Sequence, residues 1–120
     1  PVVFRSLPTL IDRVLRYPES RPDAVFANYD TLAYDLEDML QRHGIRVPEE
    51  ISLMGFDDDP MPESACCRIS SIAQPRYRLR VKAAELLQSL IEHGCEFYIR
   101  PFIPGELKKY ASVYRKELQK

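Results

Sequence analysis

Between Asp23 and Asp57, two short apolar runs, each closed by aspartate, flank one amphipathic segment. The first run, "DAVFANYD", reads as a strand with Val25 and Phe26 buried and Asp30 at its carboxyl end. The segment "DTLAYDLEDMLQRHG" follows. It places Leu32, Leu36, Met39 and Leu40 on one helical stripe, with Asp30 as N-cap and Gly44 as a left-handed stop. The second run, within "EEISLMGFDDDP", sets Ile51, Leu53 and Met54 in a strand ending at Gly55-Phe56-Asp57. Two strands joined through a helix require a crossover, so they run parallel, and the handedness rule lays helices over a doubly wound sheet. The expected fold class is α/β, a Rossmann-like three-layer sandwich on a mostly parallel sheet.

Flanking segments extend this unit. "LPTLIDRVLRY" carries Leu7, Leu10, Ile11, Val14 and Leu15 at helical spacing, with Pro8 in the first turn. "CRISSIAQP" is a third strand candidate, closed by Pro75. "RLRVKAAELLQSLIEHG" is the clearest helix, with Leu79, Val81, Leu86, Leu87, Leu90 and Ile91 on a broad apolar side. An extended piece, "EFYIRPFIP", precedes "GELKKYASVYRKELQK", whose mixed charges read as a solvated end.

Composition narrows the function classes. The chain has 120 residues, the size of one domain or part of one, and its 45% hydrophobic content suffices for a core. Seventeen Lys and Arg against eighteen Asp and Glu leave no basic excess to attract nucleic acid or an anionic membrane. The apolar runs are far shorter than the ~20 residues of a membrane helix, and the first ten residues lack a signal-peptide pattern. A soluble, cytoplasmic chain is expected. Cys66, Cys67 and Cys95 show no CxxC spacing and read as reduced structural thiols. His43 and His93, each before a glycine, read as helix C-terminal residues.

The acidic strand ends hold the chemical interest. Ligands of open α/β sheets gather at the carboxyl ends of strands, where Asp30 and Asp57, Asp58 and Asp59 fall. Clustered carboxylates there can bind Mg²⁺, accept a phosphoryl group, or accept hydrogen bonds from a polar small molecule. Aspartates before proline also cap turns without any ligand. No P-loop, Gly-x-Gly-x-x-Gly or Gly-x-Ser-x-Gly motif is present, which argues against an enzyme.

The blocks "RPDAVFANYDTLA", "HGIRVPEEISLMGFDDDP", "ISSIAQPRYRLRVKAAELLQSLI" and "IPGELKKYASV" stand in an order and spacing that resemble the effector-binding domain of the LacI/GalR family of bacterial transcription regulators. The resemblance runs from Arg21 to Val113 and is most specific over Gly44–Asp58 and at Gln74-Pro75. It implies a periplasmic-binding-protein-like fold with a cleft between two subdomains. Residues 1–120 would form one partial effector-binding and dimerisation domain: the C-terminal subdomain with a crossover helix at about 76–93, and no DNA-binding domain. By the same resemblance Asp57, Asp30 and Tyr29 would meet a sugar, sugar derivative or nucleobase. Tyr29 stands where asparagine or glycine is usual and could stack on the ligand.

Leu32, Tyr34, Leu36 and Met61 would contribute to a homodimer interface, although Tyr34, Asp35, Glu37 and Asp38 replace the usual small and apolar residues. Tyr110 stands where an arginine is usual. DNA would be reached only through an absent N-terminal domain. No cofactor, metal or membrane partner is implied. The helix after Gln74-Pro75 would lose the subdomain it packs on. Three alternatives stay open: a transport-type sugar-binding protein, a Mg²⁺-dependent receiver-like or phosphoryl-transfer domain using Asp57–Asp59, and a pure dimerisation scaffold.

Overall fold

The computed structural model describes residues 3, 5–94 and 100–114. Helix α1 spans Leu7–Arg16 and a single 3-10 turn Pro18–Ser20; strand β1 is Ala24–Phe26, α2 Asp30–Arg42, β2 Ser52–Phe56, β3 Ser70–Ala73, α3 Arg76–His93 and β4 Glu106–Lys108. The sheet order is β1-β2-β3-β4. The first three strands are parallel, with Val25 opposite Leu53 and Gly55 opposite Ser71, and β4 runs antiparallel to β3. The fold is α/β on a mostly parallel sheet, as the crossover pattern requires.

Local signals explain the helix ends. Ser6 caps α1, its hydroxyl accepting from the Thr9 N–H at 3.4 Å, and Pro8 occupies the first turn, where no N–H is needed. At the C-terminus of α2, Gly44 adopts φ +72°, and the Ile45 N–H returns to the Leu40 carbonyl at 3.0 Å. That reversal folds Ile45 into the core. His43 and His93 close α2 and α3 as expected. The start of α2 differs from expectation. The cap position is Tyr29, without a side-chain hydrogen bond, and Asp30 is already helical. Its carboxylate is turned toward the sheet, leaving the helix end uncapped by it.

One core forms between α1, α2 and one sheet face. It gathers Leu10, Ile11 and Val14 from α1, Leu36 and Leu40 from α2, and Ile51, Leu53 and Ile69 around the strands. Each such side chain contributes about 1.5–3 kcal/mol by leaving water. Strand alternation fixes the other face. Val25 and Leu53 pair toward the helices, so Phe26 and Met54, the next pair along, point away. Phe26 is therefore 57% exposed, which corrects its expected burial. No described residue of α3 is buried, and Tyr77, Leu87 and Ile91 lie exposed along it.

The C-terminal segment also departs from expectation. Of the extended piece expected at 96–104, residues 96–99 lie outside the described residues, as do Cys95 and residues 115–120. The described strand is Glu106–Lys108, inside the segment read as a solvated end. Ser112 is fully buried. Its hydroxyl donates to the Leu53 carbonyl at 2.7 Å and accepts from the Ser70 N–H at 2.7 Å, while the Ser112 carbonyl accepts from the Leu53 N–H at 2.8 Å. These bonds stitch the segment across β2 and β3. Hydropathy missed them because polar backbone and hydroxyl groups make the attachment.

Between β2 and β3 the loop over 57–69 is pinned to α2. Glu37, 3% exposed, accepts from the Cys66 N–H at 3.1 Å, and the Tyr34 hydroxyl accepts from the Ile69 N–H at 3.4 Å. Burial raises the Glu37 carboxyl above its ordinary value of 4.5, against the opposing pull of the Cys66 and Cys67 N–H groups. A folded-state value above the unfolded one means that this residue's contribution is full below pH 4.5 and is lost as pH rises through the folded value. Denaturation of wild type and Glu37→Gln at stepped pH tests this. Their stability difference should shift against the wild type across that window, whereas a pH-independent difference would contradict the assignment.

Candidate functional site at the carboxyl edge of the sheet

The carboxyl ends of β1, β2 and β3 meet around the Asp57–Asp59 turn. Asp57 has φ 105° and Asp58 φ 54°, both in the left-handed region. Such positions cost about 1–3 kcal/mol each and persist where the surroundings over-determine them. Here three successive N–H groups are held. Asp57 N–H donates to the Ile72 carbonyl at 2.9 Å, Asp58 N–H to Ser71 Oγ at 3.0 Å, and Asp59 N–H to Asp30 Oδ2 at 2.7 Å. Ser71 Oγ in turn donates to Asp30 Oδ1 at 2.8 Å. Beneath the turn, the buried Asp30–Ser71 pair and the Ile72 carbonyl thus supply the acceptors.

This corrects the place of Asp30. Expected to meet the ligand, it is 2% exposed, and each carboxylate oxygen is engaged by the protein. It holds the turn from beneath. Gly55 makes this possible, because a Cβ there would lie 3.1 Å from both Asp30 Cα and Cγ and would overlap Oδ1. The small residue at Gly55 lets α2 bring its first carboxylate against the strand.

The three aspartates diverge to different partners. Asp57 Oδ1 accepts from Gln74 Nε2, and its carbonyl accepts from Arg76 Nη2 at 3.2 Å. Asp58 Oδ1 accepts from the Tyr110 hydroxyl at 3.1 Å and from Arg68 Nη2 at 3.3 Å. Asp59 pairs with Arg76 at 2.6 Å, and this hydrogen bond holds the Arg76 guanidinium above its ordinary value. Desolvation, then the bond to Asp58, raises the Tyr110 phenol above 10.0. Each acid is matched by its own donor. Among the described residues, no three His, Cys, Asp or Glu side chains converge to hold a metal ion.

Gln74, Arg76, Ser71, Arg68 and Tyr110 were not singled out as site residues by sequence reasoning. The Gln74-Pro75 pair was visible as a motif, but only the fold shows that Gln74 reaches Asp57.

The other expected residues lie elsewhere. Tyr29, about half exposed, lines a groove of about 890 Å³ with Phe26, Leu32, Leu7 and Arg13, and Asp57 is not among its lining residues. Of the expected dimer contacts, Leu36 is 1% exposed and Tyr34 is buried, because both pack inward. They are corrected to core residues. Leu32 packs against the core from its edge, and Met61 is exposed. Cys66 is exposed and unpaired; Cys67 packs against the core, and burial pushes its thiol up. Among the described residues no helix is long and apolar enough to cross a membrane.

The mostly parallel sheet with helices packed on it places the chain in the α/β class, whose ligands gather at the carboxyl edge where the aspartate turn lies. Residues 3–112 match the periplasmic binding protein-like domain, and the chain belongs to that family. Within it, the similar proteins include transcriptional repressors and LacI family regulators, consistent with the effector-binding domain of the LacI/GalR family. The ribose operon repressor of Haemophilus influenzae is 37% identical over 79 residues, which cover 66% of this chain and 24% of the repressor. The HTH-type transcriptional repressor PurR of Vibrio atlanticus is 39% identical over 74 residues, covering 62% of this chain and 22% of that protein. The chain thus spans about a quarter of these curated relatives.

Among solved structures, a LacI family regulator from Enterococcus faecium with bound ribose superposes with a TM-score of 0.72 at 26% identity, covering 94% of this chain and 42% of its own. The regulator CelR in complex with cellobiose gives 0.75 at 27% identity, covering 88% and 32% respectively.

Proposed function

We propose that this chain is the ligand-sensing part of a bacterial transcription regulator. A small polar effector of the sugar or nucleobase type would sit against the carboxyl edge of the sheet, with Asp57 as its principal contact. The protein would be a cytoplasmic homodimer without catalytic chemistry. Binding would act by differential affinity for two arrangements of subdomains, altering DNA contact made by another domain.

One observation carries this reading: the half-buried Asp57 carboxylate stands at the strand ends, its backbone locked by Ile72 and Arg76 and its side chain oriented by Gln74. A carboxylate fixed this way is a pre-organised acceptor for hydroxyl or amine donors. Bound ribose and cellobiose in similar regulators favour the sugar class. The divergence of the three acids, each on its own cation or donor, disfavours the Mg²⁺-dependent alternative. The relatives named as repressors disfavour the transport-type and purely scaffolding readings.

The test is calorimetric titration of the full-length regulator with ribose, for wild type and Asp57→Ala. About a hundredfold loss of affinity is expected, equivalent to about 2.7 kcal/mol, with the dimer intact by light scattering. Ribose binding unchanged in Asp57→Ala would remove Asp57 from the site.

A further inference from the structure

We propose that Arg68 and Tyr110 together act as positioning residues, clamping Asp58 so that the neighbouring Asp57 carboxylate is held in its binding orientation. The proposal rests on the reading that Asp57 meets the effector.

The clamp is a closed triangle. The Arg68 guanidinium carbon lies 4.1 Å from the centre of the Tyr110 ring, stacked over its face. Arg68 Nη2 and the Tyr110 hydroxyl both donate to the same oxygen, Asp58 Oδ1, at 3.3 and 3.1 Å. Each member therefore touches the other two, and removing one loosens the remaining pair.

Its corners come from three parts of the chain, and two are independently anchored. Arg68 directly precedes Ile69, whose N–H is fixed by the Tyr34 hydroxyl. Tyr110 is tied through its own backbone, its N–H donating to Ser70 Oγ at 2.9 Å and its carbonyl accepting from that hydroxyl at 3.2 Å. The third corner, Asp58, sits at φ 54° directly after Asp57 at φ 105°. The bonds to Ile72, Ser71 and Asp30 fix the N–H groups of this turn, but they do not hold the Asp58 side chain. Arg68 and Tyr110 supply that restraint. The peptide between Asp57 and Asp58 is planar, so only ψ of Asp57 and φ of Asp58 separate the two Cα atoms' substituents, and a clamp on Asp58 narrows the range open to both.

The test uses Tyr110→Phe, which keeps the ring and deletes the hydroxyl, and Arg68→Lys, which keeps the charge and deletes the stacking plane. Amide hydrogen exchange on the 120-residue chain is measured for Asp58 and Asp59, with Leu53 in β2 as the internal reference. Either variant should speed exchange at Asp58 and Asp59 at least tenfold, with Leu53 unchanged, and the double variant should add little to either single one. Unchanged exchange at the turn, or acceleration spread equally to Leu53, overturns the clamp.

In the full-length regulator, ribose affinity should fall about 5- to 20-fold in Tyr110→Phe while the melting temperature holds. Wild-type affinity in Tyr110→Phe, alongside a loss in Asp57→Ala, overturns the positioning role. Should Asp57→Ala itself bind ribose normally, the Asp57 reading falls, and the exchange rates alone then sustain or overturn the clamp.

Discussion

Replacing Gly55 with alanine is expected to destabilise the chain by about 3 kcal/mol or more, a large share of the 5–15 kcal/mol typical of a domain. The added methyl would press on Asp30 Cα and Cγ, both 3.1 Å from it, and overlap Oδ1. Relief by rotation is blocked, because the Asp30 carboxylate is bonded to Ser71 Oγ and the Asp59 N–H. Relief by shifting the backbone would move the start of α2 off β2 and break the core around Leu36 and Leu53. Urea denaturation reads the effect as a fall in midpoint of about 1–3 M at unchanged slope. A midpoint within about 0.3 M of wild type would mean that α2 adjusts freely, and the tight contact would lose its significance.

Asp30→Ala should cost about 3 kcal/mol for a different reason. It leaves the Ser71 hydroxyl and the Asp59 N–H without their acceptor, at about 1–3 kcal/mol for each group left buried and unpaired. Asp30→Asn preserves the shape but offers a single acceptor oxygen, so it should fall between alanine and wild type. The two sites are coupled. The double variant Gly55→Ala/Asp30→Ala removes the side chain that the new methyl strikes, so its loss should be smaller than the sum of the single losses by at least 1 kcal/mol. Strict additivity would show that the two residues do not share this contact. These experiments also separate scaffold from site. Asp30→Ala should lower stability, while Asp57→Ala, at a half-buried position with no buried partner left stranded, should lower ligand affinity at little cost to the fold.

Much of this molecule is legible in its residues because local rules and global fold agree over long stretches. The stripe Leu32, Leu36, Met39 and Leu40, ended by Gly44, specifies α2, and the apolar run at Ile51 and Leu53 specifies β2. One helix between two strands then leaves a parallel pair as the outcome. The acidic strand ends were legible as a place, since strands, sheet edge and ligand crevice are geometrically linked.

What local pattern could not supply is direction and long-range pairing. Phe26 and Val25 look alike in sequence, yet β pleating sends one to the core and the other to the open face. Asp30 and Asp57 each end an apolar run, but Asp30 enters the helix and is buried under Gly55, whereas Asp57 stays at the edge. The roles of Arg68, Gln74 and Tyr110 carry no local signal, because the acids they bond lie 10, 17 and 52 positions away. Ser112 looked solvated and is instead a buried pin between β2 and β3. The residue pattern by itself determined the elements, their parallel order and the edge where acids gather, because these follow from periodicity and chain connectivity. Only the tertiary structure decided which acid is buried beneath the turn and which stays half-buried at the edge. That depends on what backbone N–H, hydroxyl or guanidinium the fold delivers within about 3 Å, a distance set by packing rather than by spacing along the chain.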